Sequence, residues 1–369
     1  MSVQTPWLAS PDQRTGKATG EPAGDQISGG AISGGTGDRK ADHIRLALEE
    51  RMQLDRSFFE DWLFEHNALP EIDRAEIDTS VKFLGRRLRA PLLISCMTGG
   101  TEVASEINRN LAIAAERTEI AVGVGSQRKA LEEPGTVESF KVREAAPSVP
   151  LLANLGAVQL NYGYGIDECR QAVAMIAADA LVLHLNPLQE AIQPEGQCDF
   201  SSLLEKIAAI AEQLEVPVIA KEVGSGISES LARELVARGV THLDTAGLGG
   251  TSWARIEAAR ADDVALGDRF AHWGIPTPDS ILACRAVPGT TVIGSGGLRN
   301  GIDIAKAIAL GADLAGMAYP FLAPAMESPE NVVHTVERTL RELEIAMFCV
   351  GARNISELRQ VRITKRSER

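Results

Sequence analysis

From Pro91 onward the chain alternates short aliphatic runs with longer stretches of helical period. Eight runs read as strands: PLLISC from Pro91, EIAVGVG from Glu119, VPLLANLG from Val149, ALVLHLN from Ala180, VPVIAKE from Val216, GVTHLDTAG from Gly239, TTVIGSGG from Thr290 and ADLAGMA from Ala312. Between them lie helix-like segments such as EINRNLAIAAERT, DECRQAVAMIAA, LLEKIAAIAEQL, ESLARELVARG and IDIAKAIALGA. Eight such units predict an α/β fold, a closed (β/α)8 TIM barrel. The competing arrangement, an open doubly wound sheet, would bind a nucleotide at a GxGxxG turn after its first strand. MTGGTEV at Met97 matches that pattern poorly. The barrel also explains why nearly every run ends in polar residues, because barrel active sites form at the carboxyl ends of the strands.

One run departs from the aliphatic rule. Strand alternation in ALVLHLN puts Leu181, Leu183 and Leu185 on one face and Val182, His184 and Asn186 on the other, before Pro187 stops the ladder. Gln189 and Glu190 follow in the loop. Four polar side chains therefore converge at the end of one strand, which points to chemistry; the plainer reading has His184 and Asn186 satisfying each other in a core.

Residues 1–37 form a different region, rich in Gly, Ser, Thr and Pro and too poor in large apolar residues to pack. This composition predicts a disordered tail. Order is expected from Asp38, where DRKADHIRLALEERM turns helical on Ile44, Leu46 and Leu48, so residues 38–369 make one barrel domain with an amino-terminal helical arm. The long segment from Gly247 to Thr277, between the sixth and seventh runs, is a lid or a wall.

Aromatic residues are few, and small aliphatic residues and Gly dominate, as parallel strands under helices require. A formal charge of -13 argues against nucleic-acid binding. The five cysteines are odd in number and widely spaced with no CxxC pair, which predicts reduced thiols and a cytoplasmic protein. No apolar run approaches the roughly 20 residues that span a bilayer.

Two strand ends look like phosphate cradles. SGGLRNG would offer the N–H groups of Gly296, Gly297 and Leu298 ahead of a helix, and AGLGGTS would do the same from Gly249, Gly250 and Thr251. A second anionic site is suggested by Arg39, Lys40 and His43 at a helix start, with Ser126 and Arg128 of GSQR. Lys221 shares a face with Ile219 and points into the barrel mouth. It is ion-paired with a carboxylate such as Asp244, set against an electron-rich cofactor ring, or a Schiff-base lysine.

Taken together, RKADH, MTGG, GSQR, HLNPLQE, PEG, KEVG, AGLGGTSW, WGIPT and SGGLRNG resemble the type 2 isopentenyl-diphosphate isomerases, FMN-dependent (β/α)8 barrels, over residues 38–369. HLNPLQE and RKADH are specific to that family, whereas the SGG loop is shared with other FMN barrels. The tail has no counterpart there. The resemblance implies interconversion of isopentenyl and dimethylallyl diphosphate with reduced FMN, Mg2+, and NADPH as flavin reductant. By the same resemblance FMN meets Met97, Thr98, Gly99, Ser126, Asn154, Lys221 and Thr251, with its phosphate at Gly296, Gly297, Leu298 and Arg299, and Met317 and Ala318 close the pocket. The substrate diphosphate meets Arg39, Lys40, His43, Ser126, Arg128, His184 and Asn186. Gln189 lies by the isoprenoid chain and Glu190 holds the metal, with Gln189 and His184 as the catalytic side chains. Ala246 departs from the Ser of some members.

The chemistry bears on this reading. Adding a proton to an unactivated alkene asks more than a neutral amide or an imidazole supplies, since general acid or base help contributes roughly 10²–10⁴-fold. The proton work is therefore expected to fall to the reduced flavin, with Gln189 positioning substrate or relaying a proton. Two rivals remain at this point: an FMN-dependent oxidoreductase on the same barrel, and a flavin-binding protein without activity. Self-association is expected from the apolar barrel exterior and the helix around Val332 to Val350.

Overall fold

A computed structural model describes residues 36–368. Most of the tail lies outside the described residues, but Thr36 and Gly37, placed in the tail from sequence, open helix α1 (Thr36–Ala47). Arg39, Lys40 and His43 therefore sit inside a helix rather than at its start. With Ala47 they recur at helical spacing along one face.

Eight parallel strands close into a barrel: β1 Leu92–Ile94, β2 Ala121–Gly123, β3 Leu151–Gly156, β4 Ala180–Leu185, β5 Val218–Glu222, β6 His242–Asp244, β7 Thr291–Ser295 and β8 Leu314–Met317. Each falls within one of the eight runs read from sequence, and β8 pairs with β1 to complete the ring. Alternation decides the two faces. Leu93, Ala121, Leu152, Ala180, Val182, Ile219, Ile293 and Leu314 fill the interior, while Leu92, Ile94, Leu151, Leu181, Leu183, Ala220 and Ala315 pack outward under the helices.

The crossover helices follow the sequence pattern: α2 Glu102–Thr118 after β1 and α3 Ile166–Ile176 after β3, then α4 Pro187–Ile192 and α5 Leu203–Gln213 after β4, and α6 Glu229–Val236 after β5. The segment after β6 forms α7 (Trp253–Arg260) and α8 (Val264–Phe270), and then α9 (Thr277–Arg285) returns to the barrel. Beyond β7 come α10 (Gly301–Ala309), and beyond β8 come α11 (Tyr319–Glu327) and α12 (Pro329–Val350).

Two antiparallel additions have no signal in the repeat. A hairpin of Val81–Phe83 and Arg86–Leu88 places Phe83 and Leu88 in the same cluster as the interior strand residues, so it plugs the amino end of the barrel. Trp62–Phe64 pairs with Ile363–Lys365 and ties the two ends of the described chain together. With that end plugged, the carboxyl end is left as the mouth. Among the described residues no helix is long and apolar enough to cross a membrane, and the five cysteines are unpaired.

Candidate active site

The mouth is a cavity of about 270 Å³. One side of it is built from backbone. At the end of β7, Gly296 (φ +108°) and Gly297 (φ +77°) turn in the left-handed region that favours glycine. A Cβ on Gly297 would stand 2.2 Å from Gly249 O, so the two glycine turns lock against each other. The N–H groups of Gly296, Gly297, Leu298 and Ala318 donate to no acceptor among the described residues. The side chain of Asn300 caps α10, accepting from Ile302 N and Asp303 N, which leaves the preceding turn to face the cavity. Unpaired N–H groups on adjacent strand ends make a cradle for an anion. Arg299 flanks it, 5.2 Å from the Tyr319 ring centroid and 3.4 Å from Gln53 Oε1. Gln53 also pairs with Thr251 Oγ1 at 2.9 Å, tying the second glycine loop in place.

The opposite side is built from side chains. Lys40, half-buried on one face of α1, is lowered from 10.5 to about 8 by desolvation and by Arg39 and Lys129. Arg39 keeps its Nε buried without a partner, and Arg128 reaches Glu132 at 2.8 Å and Gln197 at 3.1 Å. Arg39 also pairs with Glu195 at 3.6 Å, yet three cations converge on this side of the cavity, and such a cluster attracts a multiply charged anion.

The HLNPLQE stretch forms the wall between these sides. His184 and Asn186 do not satisfy each other: His184 Nδ1 lies 2.9 Å from Asn154 Oδ1, whereas Asn186 Nδ2 donates to Glu190 Oε1 at 2.9 Å and Gln189 Oε1 at 3.2 Å. With an amide oxygen as its partner, Nδ1 carries the hydrogen and Nε2 is left as an acceptor. Burial, with Lys221 and Lys40 nearby, pushes His184 down to about 3, so it is neutral at physiological pH and is no proton donor there. Gly156 gives the ring its place, since a Cβ there would stand 3.2 Å from Nε2.

Gln189 Nε2 donates to Glu257 Oε1 at 2.7 Å, so both ends of its amide are held. Burial disfavours charge on Glu257, yet His43 (3.0 Å), Gln189 and Arg260 (2.6 Å) outweigh it and hold its pKa at about 2. Glu190 is buried, and its carboxylate also accepts from Gln193 Nε2 (2.6 Å) and Gln197 N (2.7 Å). Among the described residues no group of three or more His, Cys, Asp or Glu gathers around a common point, so a cation here would meet one protein carboxylate and depend on its ligand for the rest.

Of the three roles left open for Lys221, pairing with Asp244 is not found. Among the described residues no carboxylate lies within ion-pair distance of Nζ, which donates to Glu222 O at 2.6 Å. Asp244 instead accepts from Ser295 Oγ, and burial raises its pKa. Lys221 lines the cavity beside Cys96, a thiol that burial pushes up to about 11 and keeps protonated.

Every residue assigned to the site from sequence lines this one cavity except Gly99 and Gly249, the latter lying behind Gly297. Gly99 packs against Phe140, whose ring a Cβ would meet at 2.0 Å, and so stands behind the wall. Sequence reasoning missed Gln53, Lys129, Gln159, Trp253, Glu257 and Arg260. Three of these carry a signal: Trp253, Glu257 and Arg260 recur at i, i+4 and i+7, one face of α7. The segment after β6 is thus a wall, with Trp253 edge-on to His43 at 5.2 Å.

The family model for FMN-dependent dehydrogenases matches residues 44–139 and 187–365. It omits residues 140–186, which carry Asn154, His184 and Asn186. Solved structures agree in fold: a mandelate oxidase superposes with a TM-score of 0.62 at 19% identity, covering 89% of this chain and 97% of that one. A lactate oxidase from Pediococcus acidilactici gives 0.62 at 16%, covering 84% and 85%. At such identity the likeness concerns the fold alone. The isopentenyl-diphosphate delta-isomerase of Nostoc sp. is 52% identical over 330 residues, 88% of this chain and 94% of that protein. Those of Stutzerimonas stutzeri (50%; 89% and 97%) and Oceanobacillus iheyensis (46%; 88% and 95%) are likewise similar to this chain. The chain belongs to the isopentenyl-diphosphate delta-isomerases.

Proposed function

We propose that the chain interconverts isopentenyl and dimethylallyl diphosphate in the barrel mouth, with FMN on the glycine side and the substrate diphosphate on the α1 side. The observation that carries this reading is that one cavity holds two anion traps of different construction, free backbone N–H groups at Gly296–Leu298 and Ala318, and the cations Arg39, Lys40 and Arg128. A hydroxyacid oxidoreductase needs one phosphate cradle and a small carboxylate site. The second trap suits a diphosphate.

The residues fit the groups that the reaction needs. Gly296, Gly297, Leu298 and Arg299 would hold the FMN phosphate, and Met97, Thr98, Ser126, Asn154, Lys221, Thr251, Met317 and Ala318 would line the rest of its site. Glu190, the carboxylate of the HLNPLQE stretch that lines the cavity, would hold Mg2+, which prefers one or two carboxylates plus phosphate oxygens. When bound, reduced FMN supplies the proton-transfer capacity that this wall lacks, and Mg2+ screens the diphosphate charge.

This chain's residues do the positioning. Arg39, Lys40 and Arg128 orient the diphosphate end, with His43 held by Glu257. Binding energy from that remote end places the alkene at Gln189. Gln189, neutral and tied to Glu257 and Asn186, keeps the alkene in register while a proton is added at one carbon and another is lost across the branch point. NADPH is the proposed source of flavin reduction and is not consumed in the cycle. The chain is further proposed to self-associate, a reading supported by exposed Ile302, Met326 and Ile345 on α10, α11 and α12.

The test is to assay reduced protein with isopentenyl diphosphate and Mg2+, with and without FMN. Product should form only with FMN, without steady NADPH loss. NADPH consumption that matches product formation would show an oxidoreductase instead.

A further inference from the structure

Behind the substrate wall lies a residue that none of the roles above uses. Gln197 does not line the cavity, but it joins three residues that do. Its Oε1 accepts from Arg128 Nη1 at 3.1 Å and from Gln159 Nε2 at 2.8 Å, while its backbone N–H donates to Glu190 Oε2 at 2.7 Å. These partners come from the loops after three consecutive strands, β2, β3 and β4. The close approach is built in: a Cβ on the preceding Gly196 would stand 1.8 Å from Glu190 O, so only glycine lets the loop close over that residue. Cys198 Sγ completes the wrap at 3.4 Å from Glu190 O.

We infer that Gln197 is the positioning residue that sets the spacing between the cation Arg128 and the carboxylate Glu190, and thereby the span available to a metal-bound diphosphate. The inference rests on the reading that Arg128 meets the diphosphate and Glu190 the metal. A neutral amide suits this place. It accepts two N–H groups without adding a negative charge, so Arg128 keeps its attraction for phosphate and Glu190 remains the single carboxylate at the metal.

The experiment measures binding on the FMN holoenzyme with Mn2+ as a spin probe for Mg2+ and inorganic pyrophosphate as the anion. Gln197→Ala removes the side-chain acceptor of Arg128 and Gln159 but keeps the backbone N–H that Glu190 accepts, so pyrophosphate should weaken by about tenfold while Mn2+ alone binds as in the parent, with FMN retention and thermal midpoint unchanged and kcat at saturation within about twofold. Gln197→Glu keeps an acceptor and adds a charge beside Arg128; it should also leave pyrophosphate weak, and it remains readable if the alanine variant does not fold. Unchanged pyrophosphate binding in Gln197→Ala, or a loss matched by loss of FMN and thermal stability, would overturn the inference. Glu190→Gln serves as the control. If it binds Mn2+ as the parent does, the metal reading itself falls, whereas loss of Mn2+ there with unchanged pyrophosphate binding in Gln197→Ala removes only Gln197.

Discussion

The two sides of the barrel mouth are built on opposite principles. At β7 and β8 the anion site is made of main-chain N–H groups and glycines that pack against each other; the side facing it, from α1 through β4 to α7, is a web of buried side chains in which Glu257 alone holds three partners. A backbone cradle depends on conformation and tolerates many chemistries around it. The fold that carries it superposes on mandelate and lactate oxidases. A side-chain web depends on residue identity.

Substitutions should therefore separate the two sides. The largest effect is expected from Gln189→Leu, which keeps its place on α4 but gives up the bonds to Glu257 and Asn186. Isomerisation should slow by about 10²-fold or more while FMN stays bound, within the range expected when a group acting on the transition state is removed. Near-normal turnover would take Gln189 out of the reaction and blur the division.

Gly297→Ala probes the other side. The residue sits at φ +77° and its new methyl group would meet Gly249 O, so about 2 kcal/mol of strain should appear as roughly 30-fold weaker FMN binding. Flavin fluorescence on titration reads it directly. Reconstitution with excess FMN should return kcat, and unchanged flavin affinity would show that the cradle is not what grips the phosphate.

The smallest effect is in pH. Lys40, lowered to about 8 and faced by Arg39, Arg128, Lys129 and Glu257, loses its proton as pH rises through that value, so the attraction for diphosphate weakens on the alkaline side. At pH 9 kcat/KM should fall by about tenfold from its value at pH 7, with FMN affinity steady. His184 contributes no limb near its ordinary 6.5, because it is already neutral there. A profile with a break near 6.5 that disappears in His184→Gln would reverse this assignment.

How much of this was readable beforehand differs between the same two sides. The glycine turns announce themselves, since SGG and LGG at strand ends have few uses other than close backbone approach. On the other side Arg39, Lys40, His43, Gln189 and Glu190 were visible as residue types, but their partners were not. Glu257 meets Gln189 across 68 positions of chain, and Gln53 meets Thr251 across 198. Gly99 shows the converse case. It stands in a motif among residues that line the cavity, yet its backbone turns it onto Phe140.

The sequence by itself determined the eight strands, their inward and outward faces and the end of the barrel at which polar residues collect, because strand alternation and helical period are local properties set by steric and hydrophobic preference. Only the tertiary structure decided that His184 is neutral, that Lys221 stands apart from Asp244, that α7 is a wall, and that Gln197 joins three loops. Those are matters of burial and of distance between residues far apart in the chain, and charge states and hydrogen bonds follow from the environment that packing creates rather than from the order of residues.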